Sequence, residues 1–412
     1  MSNVTRRRVG CRICGDTGLK TFLDLGSTPP ADRLVSESVP AESEPRFPLE
    51  VAFCRMCRLV QILETVPPEV LFCEEYPYYS SFSPQLLDHS RANALELIEE
   101  RGLDDKSLVV ELASNDGYLL RNYVEKNIPV LGIDPAEGPV RKAEEGGVRT
   151  LKAFFTLELA SRLSSEGYAA DVIHANNVLA HVADTNGFVE GIRVLLKDAG
   201  VAVIEVPYVR ELIDKCEFDT IYHEHLCYFS VTTLNHLFRK HTLYLNKILR
   251  LPIHGGSLRL YVNRRENVDG SVRAILEEED RDGVTAAGYY DDFAGRVHRL
   301  KKHLLNLLSD LKGQGKRIAA YGAAAKGGTL LNYTGIGREY LDYVVDRNVH
   351  KHGKYMPGIH LPVSPPERLL TDRPDYVLIL AWNFADEIIG QLSDYASLGG
   401  RFIIPIPEPR VR

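Results

Sequence analysis

The sequence predicts an α/β fold with two βα series in tandem, set behind a small N-terminal module that carries paired cysteines. Three observations lead there. Short apolar runs alternate with amphipathic segments from Leu108 to Val206, and a second such series starts at Arg317 and runs through Ala381. That alternation marks parallel sheets with helices on both faces. Two Cys-x-x-Cys pairs, Cys11/Cys14 and Cys54/Cys57, precede the first series, and a charged, glycine-containing stretch at 264–288 separates the second. The expected division is 1–70 for the module, 71–263 for a central doubly wound domain and 264–412 for a Rossmann-like domain.

Length and charge narrow the function classes. The 412 residues have room for two or three domains. A formal net charge of −7 argues against nucleic acid or an anionic membrane surface as partner. No apolar run approaches the ~20 residues of a membrane span. The basic start, Met1 to Arg8, has no apolar stretch after it. No signal peptide is therefore expected, and the reading is cytoplasmic.

Seven cysteines is an odd number, and four of them form the two pairs. In a cytosolic chain this favours a metal over disulfides. Thirty-nine residues separate the pairs. Together they offer four thiolates to one tetrahedral zinc, and four sulfur ligands leave no open position, so the zinc should be structural.

In the central series, Leu108-Val109-Val110 leads into Glu111-Leu112-Ala113-Ser114-Asn115-Asp116-Gly117, and Val130 to Ile133 ends in Asp134. Ala113 and Asn115 stand where a dinucleotide fingerprint has glycines, and no P-loop Gly-Lys-Ser/Thr is present. An acidic turn suits a cationic ligand, and Asp134 can accept from ribose hydroxyls. S-adenosylmethionine, with a sulfonium and an amine, answers that description. The donor-binding set is Glu111, Ala113, Asn115, Gly117, Asp134, Phe155, Asn176 and Asn177. Ser83-Pro84 opens a helix to Arg101. Ahead of it, Glu75 to Phe82 is an aromatic stretch that reads either as a packing loop or as a lid bringing Tyr76 to a ligand.

The densest chemistry lies in Phe218 to Phe229, just past the apolar strand Val201–Val206. It holds Tyr222, His223, Glu224, His225 and Tyr228. A zincin spacing fails, because position 227 is Cys. Extended backbone would put Tyr222 and Glu224 on one side and the two histidines on the other; a loop is expected instead. His181, after the strand ending in Asn177, reads as a capping residue or a partner of this segment.

Beyond residue 263, a helix is predicted near Tyr289 to Leu311. Gly322-Ala323-Ala324-Ala325-Lys326-Gly327 resembles a Gly-x-Gly-x-x-Gly turn with Ala324 at the glycine that admits a pyrophosphate, and Asp346 lies nineteen residues on. A nicotinamide oxidoreductase is the rival this turn raises. Lys326 offers a charge for a phosphate. Asn383 faces a ligand or caps the helix after it, and Ser257 closes the turn His254–Ser257, which is either a ligand loop or a plain hairpin.

Four features in this order resemble the zinc-containing C-methyltransferases of antibiotic deoxysugar pathways. They are the cysteine knuckles, Glu111–Gly117, His174-Ala175-Asn176-Asn177-Val178-Leu179-Ala180-His181, and Asp219-Thr220-Ile221-Tyr222-His223-Glu224-His225. The likeness spans essentially the whole chain. It is greatest to members that methylate C-3 of a TDP-linked 3-amino-4-keto sugar on the way to D-tetronitrose. The resemblance implies that Tyr76, His181, Tyr222, Glu224 and His225 line the reaction centre. It also implies that the C-terminal domain helps bind the nucleotide; Ser257, Lys326 and Asn383, read from their own positions, are the expected substrate-facing set. In this reading His225 is the base, with His181 as the alternative. Tyr222 and His181 stabilise an enolate, Glu224 orients an imidazole or binds an amino group, and Tyr76 closes the site. Methylation at C-5, or of a sugar without the amine, stays open.

Overall fold

The computed structural model describes residues 6–71 and 79–412; Tyr76, the expected lid residue, lies outside the described residues. β1 (Leu19–Thr28), β2 (Phe47–Cys54) and β3 (Val60–Ile62) form an antiparallel N-terminal sheet. Its knuckle turns bring Cys11, Cys14, Cys54 and Cys57 together, with all four sulfurs within 4.8 Å of one another. The pairs Cys11/Cys57 and Cys14/Cys54 are 3.3 and 3.5 Å apart. Those separations exceed the ~2.05 Å of a disulfide and suit thiolates converging on one tetrahedral ion.

β4 (Val109–Leu112), β5 (Val130–Asp134), β6 (Thr150–Lys152), β7 (Ala170–Asn176) and β8 (Leu196–Pro207) then build a parallel sheet. All four residues of β4 are buried, as expected of strands covered on both faces, which read as continuous apolar runs. One face lies under the helix Pro84–Arg101. Ser83 caps that helix by accepting from the Leu86 N–H, and Gly102, at φ +61°, ends it. Leu86, Ala94 and Leu97 are its buried apolar residues.

The chain next leaves this sheet. β9 (Cys227–Tyr228) returns to the N-terminal module and pairs with β3, Val60 opposite Tyr228 and Gln61 opposite Cys227. β10 (Tyr244–Leu251) and β11 (Ser257–Asn263) complete the central sheet as a hairpin antiparallel to β8. The order is β10-β11-β8-β7-β4-β5-β6. It reverses between β7 and β4, where doubly wound sheets hold ligands beyond the carboxyl ends.

The stretch 264–288, expected to mark a boundary, carries regular structure. It folds as the helix Gly270–Arg281, and the reason is a single side chain. Glu279 is fully buried, and its carboxylate accepts from Tyr208 Oη, from the N–H groups of Val231 and Thr232, and from Thr232 Oγ1 at 2.6–2.8 Å. It thereby caps the helix Val231–Lys240. The long helix runs Phe293–Gly313, starting later than expected, because Ala287–Tyr290 forms a separate turn with Tyr290 wedged against Phe22 and Phe53.

β12 (Ile318–Tyr321), β13 (Val344–Val345), β14 (Val363–Ser364), β15 (Tyr376–Ile379) and β16 (Arg401–Ile404) are parallel, and β17 (Arg410–Val411) is antiparallel at the edge. The order β14-β13-β12-β15-β16-β17 is Rossmann-like. The N-terminal module touches this domain as well. Val35 bridges to Tyr355, and Glu44 accepts from the Gly358 N–H and pairs with His360 at 2.9 Å.

Because β3 begins three residues after Cys57, losing the metal should loosen β3 and β9 together. Chelating zinc, or Cys57→Ser, is expected to speed amide exchange at Val60–Ile62 and Cys227–Tyr228 while the β4–β7 core stays protected. Hydrogen exchange by mass spectrometry checks this.

Candidate active site

The segment Phe218–Phe229 is a loop between one 3-10 turn (Phe218–Thr220) and β9, and the loop sends each side chain a separate way. His225 Nδ1 lies 3.0 Å from the Thr220 carbonyl, and its Nε2 lies 3.0 Å from Tyr222 Oη. A carbonyl only accepts, so Nδ1 carries the proton. In the neutral ring Nε2 then holds the lone pair and accepts from the tyrosine. Tyr222 lies over the imidazole with centroids 4.1 Å apart, and the His181 ring meets it edge-on at 4.6 Å.

His181 belongs to the turn Leu179–His181, which is tied to the loop by a bond from the Leu226 N–H to the Ala180 carbonyl at 2.7 Å. Burial pushes its pKa down to about 4, against a smaller upward pull from the backbone of Glu224 and Asn177. It is a neutral imidazole near pH 7. His223 points elsewhere: it bonds to the Pro48 carbonyl and packs on Phe47, inside the N-terminal module. Glu224 is 5% exposed, with its carboxyl raised to about 7 by burial and by the charge of Asp32.

The acidic turn after β4 has the backbone of a glycine fingerprint without its glycines. Ala113, Asn115 and Gly117 all have positive φ, +58°, +49° and +76°. Asparagine and glycine tolerate that region, whereas alanine there costs roughly 1–2 kcal/mol. Asp134 holds the turn, its two oxygens accepting from the Asn115 and Ala136 N–H groups at 2.9 and 2.8 Å. Burial lifts its pKa to about 6. Glu111, 1% exposed, has neither oxygen hydrogen-bonded among the described residues, and burial raises its pKa well above the usual range. Asn176 Oδ1 is likewise unpartnered, and Asn177 sits at φ +53° beside it. Phe155 packs edge-on against Phe188 of the helix Thr185–Leu195.

On the C-terminal side, the helix Ala325–Thr334 lies against the turn Phe218–Thr220, with Thr329 Oγ1 donating to the Ile221 carbonyl. Lys326 Nζ donates to Asn383 Oδ1 at 2.7 Å and sits over Trp382. Asn383 therefore serves Lys326 and does not cap the next helix. Trp382 in turn donates to Asp219, whose carboxyl burial raises to about 7 against the pull of Lys326. Both oxygens of Asp346 accept from backbone, from the Ala323 and Asn348 N–H groups. Asp346 thus holds its turn as Asp134 holds the turn after β4. Ser257 is 2% exposed, and its hydroxyl donates to the Ile253 carbonyl within the hairpin.

Sequence reasoning passed over a polar group under the helix Pro84–Arg101. There Glu205 of β8 pairs with Arg259 at 2.7 Å and His89 at 3.0 Å, while Ser90 and Asn93 keep buried polar atoms with no partner among the described residues. A glutamate inside the apolar run Val201–Val206 was the signal, since a buried carboxylate demands a partner. Among the described residues no helix is long and apolar enough to cross a membrane.

Comparison with known proteins follows this architecture. Residues 11–72 match a zinc binding domain model, 84–246 a methyltransferase domain model, and 252–407 a C-methyltransferase C-terminal domain model. The C-methyltransferase NovU of Streptomyces niveus is 36% identical over 414 residues, covering 100% of this chain and 98% of NovU. Among solved structures, magnesium protoporphyrin IX methyltransferase of Synechocystis PCC 6803 is 12% identical over 43% of this chain and 79% of its own, with a TM-score of 0.34. The 1,6-didemethyltoxoflavin-N1-methyltransferase of Burkholderia thailandensis is 19% identical over 44% and 78%, with a TM-score of 0.33. At these scores neither structure bears on the assignment. Matched from its cysteine knuckles to its last domain, the chain belongs to the zinc-containing C-methyltransferase family and is an S-adenosylmethionine-dependent C-methyltransferase.

Proposed function

We propose that the enzyme methylates C-3 of a TDP-linked 3-amino-4-keto deoxysugar, in deoxysugar biosynthesis, through deprotonation at C-3 and an enolate. The observation that carries this reading is the Thr220–His225–Tyr222 chain. A backbone carbonyl fixes the tautomer, an imidazole lone pair is held ready, and a phenol covers it. When a ketone enters, the Tyr222 hydroxyl can turn from Nε2 to the carbonyl oxygen. That move uncovers the lone pair for the C-3 proton and places a donor on the growing negative charge. His181, neutral and edge-on to His225, supplies a second polar group at the same centre. Tyr76 is assigned the closing role.

The donor supplies an electrophilic methyl group, and this chain's residues hold and orient it. Glu111 and Asn176 carry buried polar atoms with no partner among the described residues, the condition of a site that awaits a polar ligand. Asp134 keeps the turn in shape and accepts from ribose hydroxyls. Ala113, Asn115, Gly117, Asn177 and Phe155 shape the same edge. Lys326 and Asn383 stand where the nucleotide end would reach the C-terminal domain; Ser257, enclosed in its hairpin, contributes shape only.

Three outcomes are expected. Incubating the enzyme and S-adenosylmethionine with a TDP-linked 3-amino-4-keto sugar should add 14 mass units, one methyl for one hydrogen on carbon; a product of unchanged mass overturns the reading. Without donor, the enzyme should exchange the C-3 proton with deuterated solvent. His225→Asn should slow that exchange by about 10²–10⁴-fold, and His181→Asn should slow it less; unaltered exchange in the His225 variant would move the base elsewhere. Glu111 supplies the third outcome. Burial raises its pKa and so favours the protonated form in the empty site, and a cation beside it favours the carboxylate. Donor binding at pH 7 should therefore release up to about one proton, seen as a buffer-dependent binding enthalpy and absent in Glu111→Gln.

A further inference from the structure

Two turns of this chain are fastened by the same device, and one short segment reaches both. Asp134 fastens the turn after β4, and Asp346 fastens the turn after β12 in the C-terminal domain. From residue 80 the chain clips onto the first turn. The Ser80 N–H donates to Asn115 Oδ1 at 2.9 Å, and the Ser81 N–H donates to Asp116 Oδ2 at 3.1 Å. Tyr79, just before them, is fixed from a second side. A methyl group added at Gly138, in the helix Glu137–Glu145, would lie 2.5 Å from the Tyr79 hydroxyl, so glycine leaves the room that this side chain takes up. The Tyr79 ring then stacks on His350 of the C-terminal domain, with centroids 5.1 Å and planes 26° apart, and Phe82 meets both rings edge-on at 6.1 Å. His350 leads to the second turn. Its N–H donates to Asn348 Oδ1, the Asn348 N–H donates to Asp346 Oδ1, and the neighbouring Lys351 donates to the Ala323 carbonyl at 2.7 Å.

We propose that the Tyr79–His350 stack couples the two ligand sites, so that a donor at the turn after β4 and a nucleotide at the C-terminal turn each raise the other's affinity. The inference rests on the donor and nucleotide sites proposed above. A bound donor holds the Asn115 turn in one arrangement. Ser80 and Ser81 carry that arrangement to Tyr79, and the stacked ring carries it to His350. Ordering this segment once serves both ligands, so the second to bind meets a smaller entropic cost. By linkage the factor is the same in both directions. Two other bridges to the C-terminal domain, Thr329 with Ile221 and Trp382 with Asp219, start at the reaction loop and bypass the turn after β4. Tyr79 and His350 are positioning residues, and neither is asked to touch a reacting atom.

The test uses two probes in titration calorimetry: S-adenosylmethionine, and TDP, which has no ketone to methylate. In the wild type, saturating S-adenosylmethionine should tighten TDP binding by about three- to tenfold, the range one aromatic stack covers, and saturating TDP should tighten S-adenosylmethionine binding by the same factor. His350→Ala leaves the turn after β4 untouched. It should bind each probe alone as the wild type does and lose the mutual effect. His350→Phe keeps a ring to stack and should restore it. Tyr79→Ala should match His350→Ala, and combining the two should change nothing further. If His350→Ala binds neither probe it has not folded, and Tyr79→Ala decides in its place. A wild type in which neither probe affects the other overturns the coupling and leaves both sites standing. So does a folded His350→Ala or Tyr79→Ala that keeps the full factor. A wild type that does not bind TDP, with or without S-adenosylmethionine, removes the underlying nucleotide reading itself.

Discussion

The two-residue ladder between β3 and β9 is the constraint on which the site depends. One strand begins three residues after a zinc ligand, and the other begins two residues after the proposed base. Its hydrogen bonds therefore turn metal coordination into the position of an imidazole. The surrounding contacts make the coupling stiff. Gln61 is fully buried and accepts from the Arg12 N–H at 2.8 Å. The Arg12 guanidinium, 3% exposed, donates to the carbonyls of Ile62 and Glu64 and to Thr65 Oγ1. The Ile62 N–H reaches the Leu226 carbonyl at 3.1 Å. All three bonds leave from Nη2, which fastens the end of β3, while Nε and Nη1 are buried with no partner among the described residues. Asn186 and Lys240 of the central domain then bind the Arg12 and Ile13 carbonyls, anchoring the module from a second direction.

The central domain concentrates buried polar groups on one face of its sheet. Glu111, His174 and Glu205 all project beneath the helix Pro84–Arg101, where an all-apolar packing would be more stable. Each is handled differently. Glu205 is paired with Arg259 and His89. His174 bonds to Tyr123 Oη at 2.7 Å, and burial pushes its pKa down to about 3. Glu111 is left without a partner among the described residues. The unpaired member lies nearest the acidic turn, so the cost of burying it falls where a cationic ligand can relieve it.

Much of this was legible in the sequence, and the parts that were not share a cause. Alternating apolar runs revealed both sheets, because strands buried on two faces have no polar period to confuse them. Cys11, Cys14, Cys54 and Cys57 announced the metal, since thiolate spacing is local. Tyr222, Glu224 and His225 were legible as a chemical cluster, but their division of labour was not. That division depends on backbone carbonyls, those of Thr220 and Pro48, which carry no sequence signal. The helix Gly270–Arg281 was masked by its charge, because Glu279 looks like a surface residue until its partners at Tyr208, Val231 and Thr232 are seen. His350 was invisible for a related reason: it is an ordinary turn residue until two domains meet.

Gly328 sits in the helix Ala325–Thr334 with Ala31 close by, and a methyl group added at this glycine would lie 2.8 Å from the Ala31 carbonyl oxygen. The helix that faces the proposed nucleotide end is therefore also the seat of the N-terminal turn carrying Asp32, whose N–H donates to Glu224 Oε1 of the reaction loop at 3.4 Å. Chimeras that graft a different C-terminal half onto this chain to change its sugar must keep a glycine there. Any larger residue would lift the turn from its seat, and the hybrid would disturb the reaction loop it inherits together with the nucleotide end it was meant to exchange.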